Sequence, residues 1–341
     1  MRLRGIPLVP LILLGILIFG SIVIFFGVRA ISPPEPPRVF VIVKTMNPAI
    51  AFWQVVLAGI RAAAKEFDLS VSVNGPFDEI NVDEQVSMVE EAIQQRPAAL
   101  VLGATDYNTL VPAVEKAHQQ GIKVITFDSD VNSTLPLCFV ATDNVEAGRK
   151  AGTAMLELVG ASSSLIILGH VKGTSTAIDR ERGVRQVFDQ RKSLAIKGTY
   201  FCDNFFEKAY QITKEVITAY PWIDGIVALN EVSTVGAVKA IRDLKLKRKV
   251  YLVGFDQSIE EIKAIEDGIL DATVVQKPFN MGYIALQKVK EILTGKKIER
   301  FIDTGSVLIT RETMYHPENQ KILFPFAVHE PSESRDNQGI K

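Results

Sequence analysis

The sequence predicts an α/β protein of two doubly wound parallel-sheet lobes, preceded by one N-terminal transmembrane helix. Three observations carry this expectation. From Val39 onward, short β-branched runs of four to six residues alternate with longer segments of helical periodicity. The runs are apolar throughout rather than alternating, as expected of strands covered on both faces. A single uncharged apolar stretch, Ile6 to Val28, stands before them.

The 341 residues carry 38 basic and 39 acidic side chains and are 47% hydrophobic with only 2 Cys, which leaves room for about two domains with proper cores. A disordered chain would be poorer in apolar residues and a disulfide scaffold richer in Cys. The near balance of charge speaks against a nucleic-acid partner, and one apolar run excludes a multi-span membrane protein.

Ile6 to Val28 is bracketed by Arg2 and Arg4 before and Arg29 after. As a helix it would span about 34 Å, enough for a hydrocarbon core of about 30 Å. A cleaved signal has a shorter apolar region, so the segment reads as an uncleaved anchor, although Val28-Arg29-Ala30 loosely imitates a cleavage site. The excess of Arg on the N-terminal side places residues 1–5 in the cytoplasm and the bulk of the chain outside it, on a single-pass protein of the cytoplasmic membrane. Residues 29–37 form a Pro-rich linker with an extended, polyproline-type Ser32-Pro33-Pro34-Glu35-Pro36-Pro37.

The elements then follow in order. Val39–Val43 leads into a helix from Trp53 to Glu66, Val71–Val73 into Val82 to Gln94, and Leu100–Leu102 into Thr109 to Gln119. Val124–Phe127, Phe139–Ala141 and a helix from Glu146 to Leu158 come next, and Leu165–Leu168, Ile226–Leu229, Val250–Val253 and Thr273–Val275 repeat the scheme. Leu100 to Asp128 and Ile226 to Asp256 each read strand, polar loop, helix, short turn, strand, Phe-Asp, which supports two similar lobes.

Ligands of open parallel sheets bind beyond the carboxyl ends of the strands. Those ends present Lys44, Asp106, Asp128, Asn230, Asp256 and Gln276, with Arg180 after the loop Gly173-Thr174-Ser175 and Phe52-Trp53 opening the first helix. Carboxylates and amides can each meet two neighbouring hydroxyls, while aromatic faces cover the C–H surface of a sugar ring. The inventory suits a monosaccharide or related polyol better than an anion. Each residue also has a structural alternative: Asp128 and Asp256 as loop caps, Phe52 and Trp53 as core, Asn230 with Glu231 as an N-cap and first-turn acid. Spacing alone does not choose between Arg180 and Arg182.

Catalytic and cofactor patterns are missing. There is no G-x-G-x-x-G, no G-x-x-x-x-G-K-[ST] and no G-x-S-x-G, and the four His are scattered without zinc spacing. The expectation is a binding protein without cofactor or metal, not an enzyme. Whether Cys138 and Cys202 pair is left open.

Asn47-Pro48…Phe52-Trp53, Val124–Asp128, Ala141-Thr142-Asp143-Asn144 with Gly148, Arg180-Glu181-Arg182-Gly183, Leu229-Asn230-Glu231, Val253–Asp256 and Gln276-Lys277-Pro278 occur in that order. In these motifs the chain from Val39 to Thr310 resembles the ribose/galactose/xylose-type periplasmic sugar-binding proteins, which share their fold with LacI-type effector domains. The resemblance implies two lobes, 38–142 plus 277–305 and 143–276 plus 306–314, joined by three crossovers near Thr142, Gln276 and Gly305. Residues 315–341 are left as a polar tail with one apolar patch from Ile322 to Val328. It further implies that Phe52 and Trp53 stack on the sugar, that Asp128, Asn230, Asp256 and Gln276 bind hydroxyls, and that Arg180 is the sugar-binding arginine. Lys44 and Asn47 are further candidates. Asp128 is followed by Ser129 where ribose binders of this family carry Arg, which speaks against ribose itself. No helix-turn-helix precedes the domain. The expected function is capture of a monosaccharide in an interlobe cleft by hinge closure and its presentation to an ABC-type permease; the alternative is a ligand-sensing subunit of a histidine-kinase-type membrane sensor.

Overall fold

The computed structural model describes residues 13, 15, 17–21, 35–160, 162–189 and 194–324. The described residues from Arg38 to Phe324 fall into one compact unit. Its elements in chain order are β1 (Arg38–Ile42), α1 (Ala51–Glu66), β2 (Ser70–Asn74), α2 (Val82–Gln94), β3 (Ala99–Leu102), α3 (Val111–Gln119), β4 (Lys123–Phe127), β5 (Phe139–Ala141) and α4 (Asn144–Leu158). Next come β6 (Ser164–Gly169), α5 (Ser175–Phe188), β7 (Ala195–Phe201), α6 (Phe206–Ala219), β8 (Gly225–Ala228), α7 (Glu231–Leu244), β9 (Tyr251–Phe255) and α8 (Ile259–Glu266). The remainder is β10 (Ala272–Gln276), α9 (Pro278–Leu293), β11 (Phe301–Asp303), β12 (Ser306–Thr310) and α10 (Pro317–Leu323).

The strands form two six-stranded sheets with matching orders, β11-β5-β4-β3-β1-β2 and β12-β10-β9-β8-β6-β7. All pairings are parallel except β10 with β12. The chain therefore passes between the sheets three times: after β5, after β10, and between β11 and β12. Central strands β3, β8 and β10 are buried at every residue, whereas edge strands β2 and β7 are half-exposed, which accounts for the continuous apolar runs of the former.

Strand ends dictate the rest. β4 and β9 both stop at an Asp with positive φ, 57° at Asp128 and 73° at Asp256. Each donates its backbone N–H across to the neighbouring strand, Asp128 to the Val140 carbonyl and Asp256 to the Val274 carbonyl, both at 3.0 Å. Asp tolerates the left-handed region better than most residues, and the turn lifts both carboxyl groups off the sheet to the same side of the molecule.

Helix packing positions Arg180. α4 crosses α5 where Gly148 faces Gly183, and a Cβ on either would run into backbone of the other helix, at the Arg180 and Val145 carbonyls respectively. The two glycines thus set how closely α5 approaches the second sheet.

Cys138 and Cys202 are free thiols in the separate cores of the two lobes, and burial pushes them up to about 11 and about 12. The segment after Met314 opens with α10, whose Leu323 is buried in the core of the second lobe, with Ile322 and Phe324 against it; residues 325–341 lie outside the described residues. Of the apolar stretch 6–28, only Leu13, Gly15 and residues 17–21 are described, all helical, so the expected span lies mostly outside the described residues. Among the described residues no helix is long and apolar enough to cross a membrane.

Gly183→Ala should destabilise the chain by about 1–3 kcal/mol, the usual cost of forcing extra volume into a tight contact. Urea unfolding measures this, and an unchanged midpoint would mean that α4 and α5 separate freely.

Candidate functional site

The carboxyl ends of both sheets face one another across a small cleft with a free volume of about 30 Å³. The first lobe contributes Lys44, Ile50, Phe52, Trp53, Glu79 and Asp128; the second contributes His170, Thr176, Arg180, Asn204, Asn230, Glu231, Asp256 and Gln276.

The lobes are closed upon each other. Tyr107 donates its N–H to the Gly173 carbonyl at 2.9 Å, and Asp130 donates its N–H to the Ser175 hydroxyl at 2.8 Å. Ser129 and Ser175 pair through their hydroxyls at 3.2 Å, so Ser129 serves the seam between the lobes. Lys44 Nζ also reaches Thr176 Oγ1 at 3.5 Å.

Charge inside the cavity is paired. Lys44 Nζ lies 2.9 Å from Asp128 Oδ2 and 3.9 Å from Glu79 Oε2. Burial pulls the lysine pKa down, but Asp128 and Glu79 together raise it by more, so the ammonium stays charged. Burial raises Glu79, partly offset by Lys44, and the carboxyl accepts the Trp53 indole N–H at 3.1 Å. In the second lobe, Gln276 Nε2 donates to Asp256 Oδ1 at 2.6 Å and the Glu231 N–H donates to Asp256 Oδ2 at 3.1 Å. Asp256 is raised by burial against the pull of Arg180. Arg180 donates Nε to Asn144 Oδ1 at 2.8 Å and Nη1 to the Leu229 carbonyl at 2.7 Å, with its guanidinium carbon 4.7 Å from the centre of the Phe255 ring. Its Nη2 has no protein partner among the described residues. His170 is neutral, held well below the usual imidazole range by burial and by the nearby Lys44 and Arg180.

Eight of the ten residues named from the sequence line the cavity. Asn47 does not: its Oδ1 accepts the Ala49 N–H at 3.0 Å and shapes the loop before α1. Nor does Asp106, whose Oδ1 accepts the Asn108 and Thr109 N–H groups at 2.9 and 2.7 Å and shapes the loop before α3. The choice between the two arginines is made by burial, because Arg182 points outward and pairs with Asp179 at 2.8 Å. Asn230 is an N-cap that also lines the cavity. It caps α7 by accepting the Ser233 N–H at 3.0 Å and still faces the cavity, its Nδ2 donating to Asn204 Oδ1 at 2.7 Å. Phe52 and Trp53 likewise belong to the core of the first lobe while bordering the cavity, packed edge-on at 5.4 Å.

Glu79, His170, Thr176, Asn204 and Glu231 were not among the candidates. Glu79 follows β2, Asn204 follows β7 and His170 directly follows β6, so the rule of strand carboxyl ends points to all three; the broken run of β7 and the lack of metal spacing around His170 hide two of them. Among the described residues no group of His, Cys, Asp or Glu could hold a metal ion.

Residues 39–297 match the family model of the periplasmic binding protein domain. The chain belongs to the periplasmic binding protein family. Ribose import binding protein RbsB of Bacillus subtilis (strain 168) is 28% identical to this binding protein over 270 residues, 79% of this chain and 86% of the relative. Among solved structures, an ABC transporter solute-binding protein from Agrobacterium vitis with bound D-fucose matches with a TM-score of 0.81 at 33% identity, over 84% of this chain and 99% of its own. A chain of the XylFII–LytSN complex matches with a TM-score of 0.75 at 26% identity, over 82% and 99%.

Lys44→Met would leave two buried carboxylates facing one another without a cation, and should cost this binding protein about 3 kcal/mol of unfolding free energy at neutral pH. Denaturant titration checks this; a variant as stable as the parent would show that the pair does not hold the cleft wall together.

Proposed function

We propose that the chain is an extracytoplasmic solute-binding protein that captures a monosaccharide or related polyol in the interlobe cavity by hinge closure and presents it to an ABC-type importer. The observation that carries this is the cavity itself: paired carboxylates, amides and one buried guanidinium on two lobes that meet over it, beside two aromatic rings. Asp128, Asn230, Asp256, Gln276 and Arg180 bind hydroxyls, Phe52 and Trp53 cover the apolar face of the ring, and Lys44 orders Asp128 while offering a donor of its own. Groups of this kind reject ligands without hydroxyls, because they would be left buried and unpaired. The ribose named for the Bacillus relative and the D-fucose bound in the Agrobacterium structure support the class of ligand.

In the same proposal, residues 6–28 anchor the protein in the cytoplasmic membrane and the Pro-rich linker 29–37 holds the lobes just outside it. A tethered chain has limited reach, and the likeness to a chain of the XylFII–LytSN complex favours a second reading, in which sugar occupancy is reported to a membrane sensor of the histidine-kinase type. Neighbouring permease and ATPase genes would support import, and neighbouring kinase and response-regulator genes would support sensing.

Calorimetric titration of the detergent-solubilised full chain with a panel of pentoses and hexoses, D-ribose and D-fucose included, tests the ligand class. At least one should bind, and silence across the panel at millimolar concentration would sink the sugar assignment. Arg180→Ala and Asp256→Ala should each lose about 2 kcal/mol or more of binding free energy, roughly thirtyfold in affinity.

A further inference from the structure

Helix α1 begins without a cap of its own. Ile50 at its N-cap position offers no side-chain acceptor, and its first turn holds no acidic residue. Four N–H groups at a helix start lack intrahelical partners, and here two of them find a carboxylate from the other lobe. Ala51 donates its N–H to Glu231 Oε1 at 3.0 Å, and Phe52 donates its N–H to Glu231 Oε2 at 2.9 Å. Glu231 is 180 residues away from Ala51 in sequence, at the start of α7, and is buried. Its neighbour Val232 packs into the core of the first lobe.

We propose that Glu231 is the closure-positioning residue of this binding protein, capping α1 across the cleft only when the lobes meet and thereby fixing Phe52 and Trp53 over the ligand. The inference rests on the reading of the cavity as a closing binding site. Two opposed helix starts meet there: α7 supplies the carboxylate and α1 the two bare donors, so neither is fully satisfied by its own lobe. A carboxylate at a helix N-terminus is further favoured by the helix dipole.

The charge surroundings make closure proton-linked. On the second lobe, Asp256 beyond β9 and Glu260 and Glu261 of α8 face Glu231, and burial holds Glu261 well above and Asp256 above the usual carboxylate range. Arg180 of α5, His170, Lys44, Asp128 and Glu79 line the remainder of the cavity, and the facing end of α1 brings only backbone donors. Burial, against the two N–H bonds, pushes the Glu231 carboxyl from 4.5 to about 7. With the lobes apart the carboxyl would face water, and the burial that raises it would be lost. A carboxyl whose pKa rises on closing binds its proton more tightly in the closed form. Closure is therefore favoured as pH falls from above 7 towards 4.5, and a neutral carboxyl still keeps an acceptor oxygen for α1.

The test reads lobe separation without any sugar. Dyes placed at Glu91→Cys on α2 and Glu215→Cys on α6, both exposed, report the interlobe distance in the full chain, while native Cys138 and Cys202 are too buried to label. At pH 6, where the closed-form carboxyl is mostly neutral, Glu231→Ala should shift the distance distribution towards open forms, and Glu231→Gln, which keeps an acceptor, should shift it less. Lowering the pH from 8 to 6 should raise the closed-to-open ratio of the parent by roughly tenfold, and Glu231→Gln should lose this step centred near pH 7. Identical distributions for the three chains overturn the proposal, whatever ligand the cavity takes. With a sugar that binds the parent, Glu231→Ala should speed dissociation at least tenfold with association nearly unchanged; equal dissociation rates also overturn it. A chain that binds no sugar but shows the closure shift would overturn the ligand class and leave the Glu231 cap standing.

Discussion

Lys44 has almost no access to solvent, and within 4 Å it faces two carboxylates from different segments of the first lobe, on Asp128 and Glu79. Isolated charges of this kind cost several kcal/mol to bury, so the cleft wall exists only because cation and anions are buried together. The same holds opposite, where Arg180 offsets Asp256 while spending two of its donors on Asn144 and the Leu229 carbonyl. The arrangement leaves each wall pre-organised, with side chains already held in place before a ligand arrives. What a ligand finds is a set of unspent valences, among them Glu79 Oε2, Gln276 Oε1 and His170 Nδ1. Pre-organisation of this sort lowers the ordering cost of binding.

The two lobes are built alike but finished differently. Asp128 and Asp256 sit at the same strand position, share the left-handed backbone conformation and are tied to the next strand by the same hydrogen bond. Asp128 then meets an ammonium, whereas Asp256 meets an amide and a backbone N–H. Equivalent backbone frames thus present a cation-paired carboxylate on one side and a hydrogen-bonded one on the other. The difference lies in what each carboxylate meets, which is how a repeated fold acquires an asymmetric site.

Legibility in the sequence followed the same division. Short β-branched or apolar runs made β1 to β6 and β8 to β10 readable, and with several of them the residues at their carboxyl ends. β7 was not, because it is half-exposed and Lys197-Gly198 interrupts its run; Asn204 was lost with it. Asn47 was drawn in by its motif, yet the chain spends its side chain on the local turn. Glu231 was legible only as a first-turn acid of its own helix, a role fixed by neighbours in sequence. Its actual partners are backbone N–H groups of Ala51 and Phe52, and donors that every residue carries leave no trace in side-chain pattern. Contacts made only when two lobes close are of this kind.

The energetics of that contact explain why closure can respond to a ligand. Two charge-assisted hydrogen bonds to Glu231 would contribute about 1.5–3 kcal/mol each. Burial, with the neighbouring Asp256 and Glu260, raises its carboxyl from 4.5 to about 7 against those bonds, so the ionised form gains little from closing. The cap therefore selects one geometry of closing without making closing strongly favourable by itself. A cleft that closed tightly on its own would gain nothing further from a ligand, since a ligand shifts an equilibrium only by its differential affinity for the two states. Near balance at Glu231, with the walls already charge-paired, leaves the deciding few kcal/mol to the hydroxyls of whatever enters.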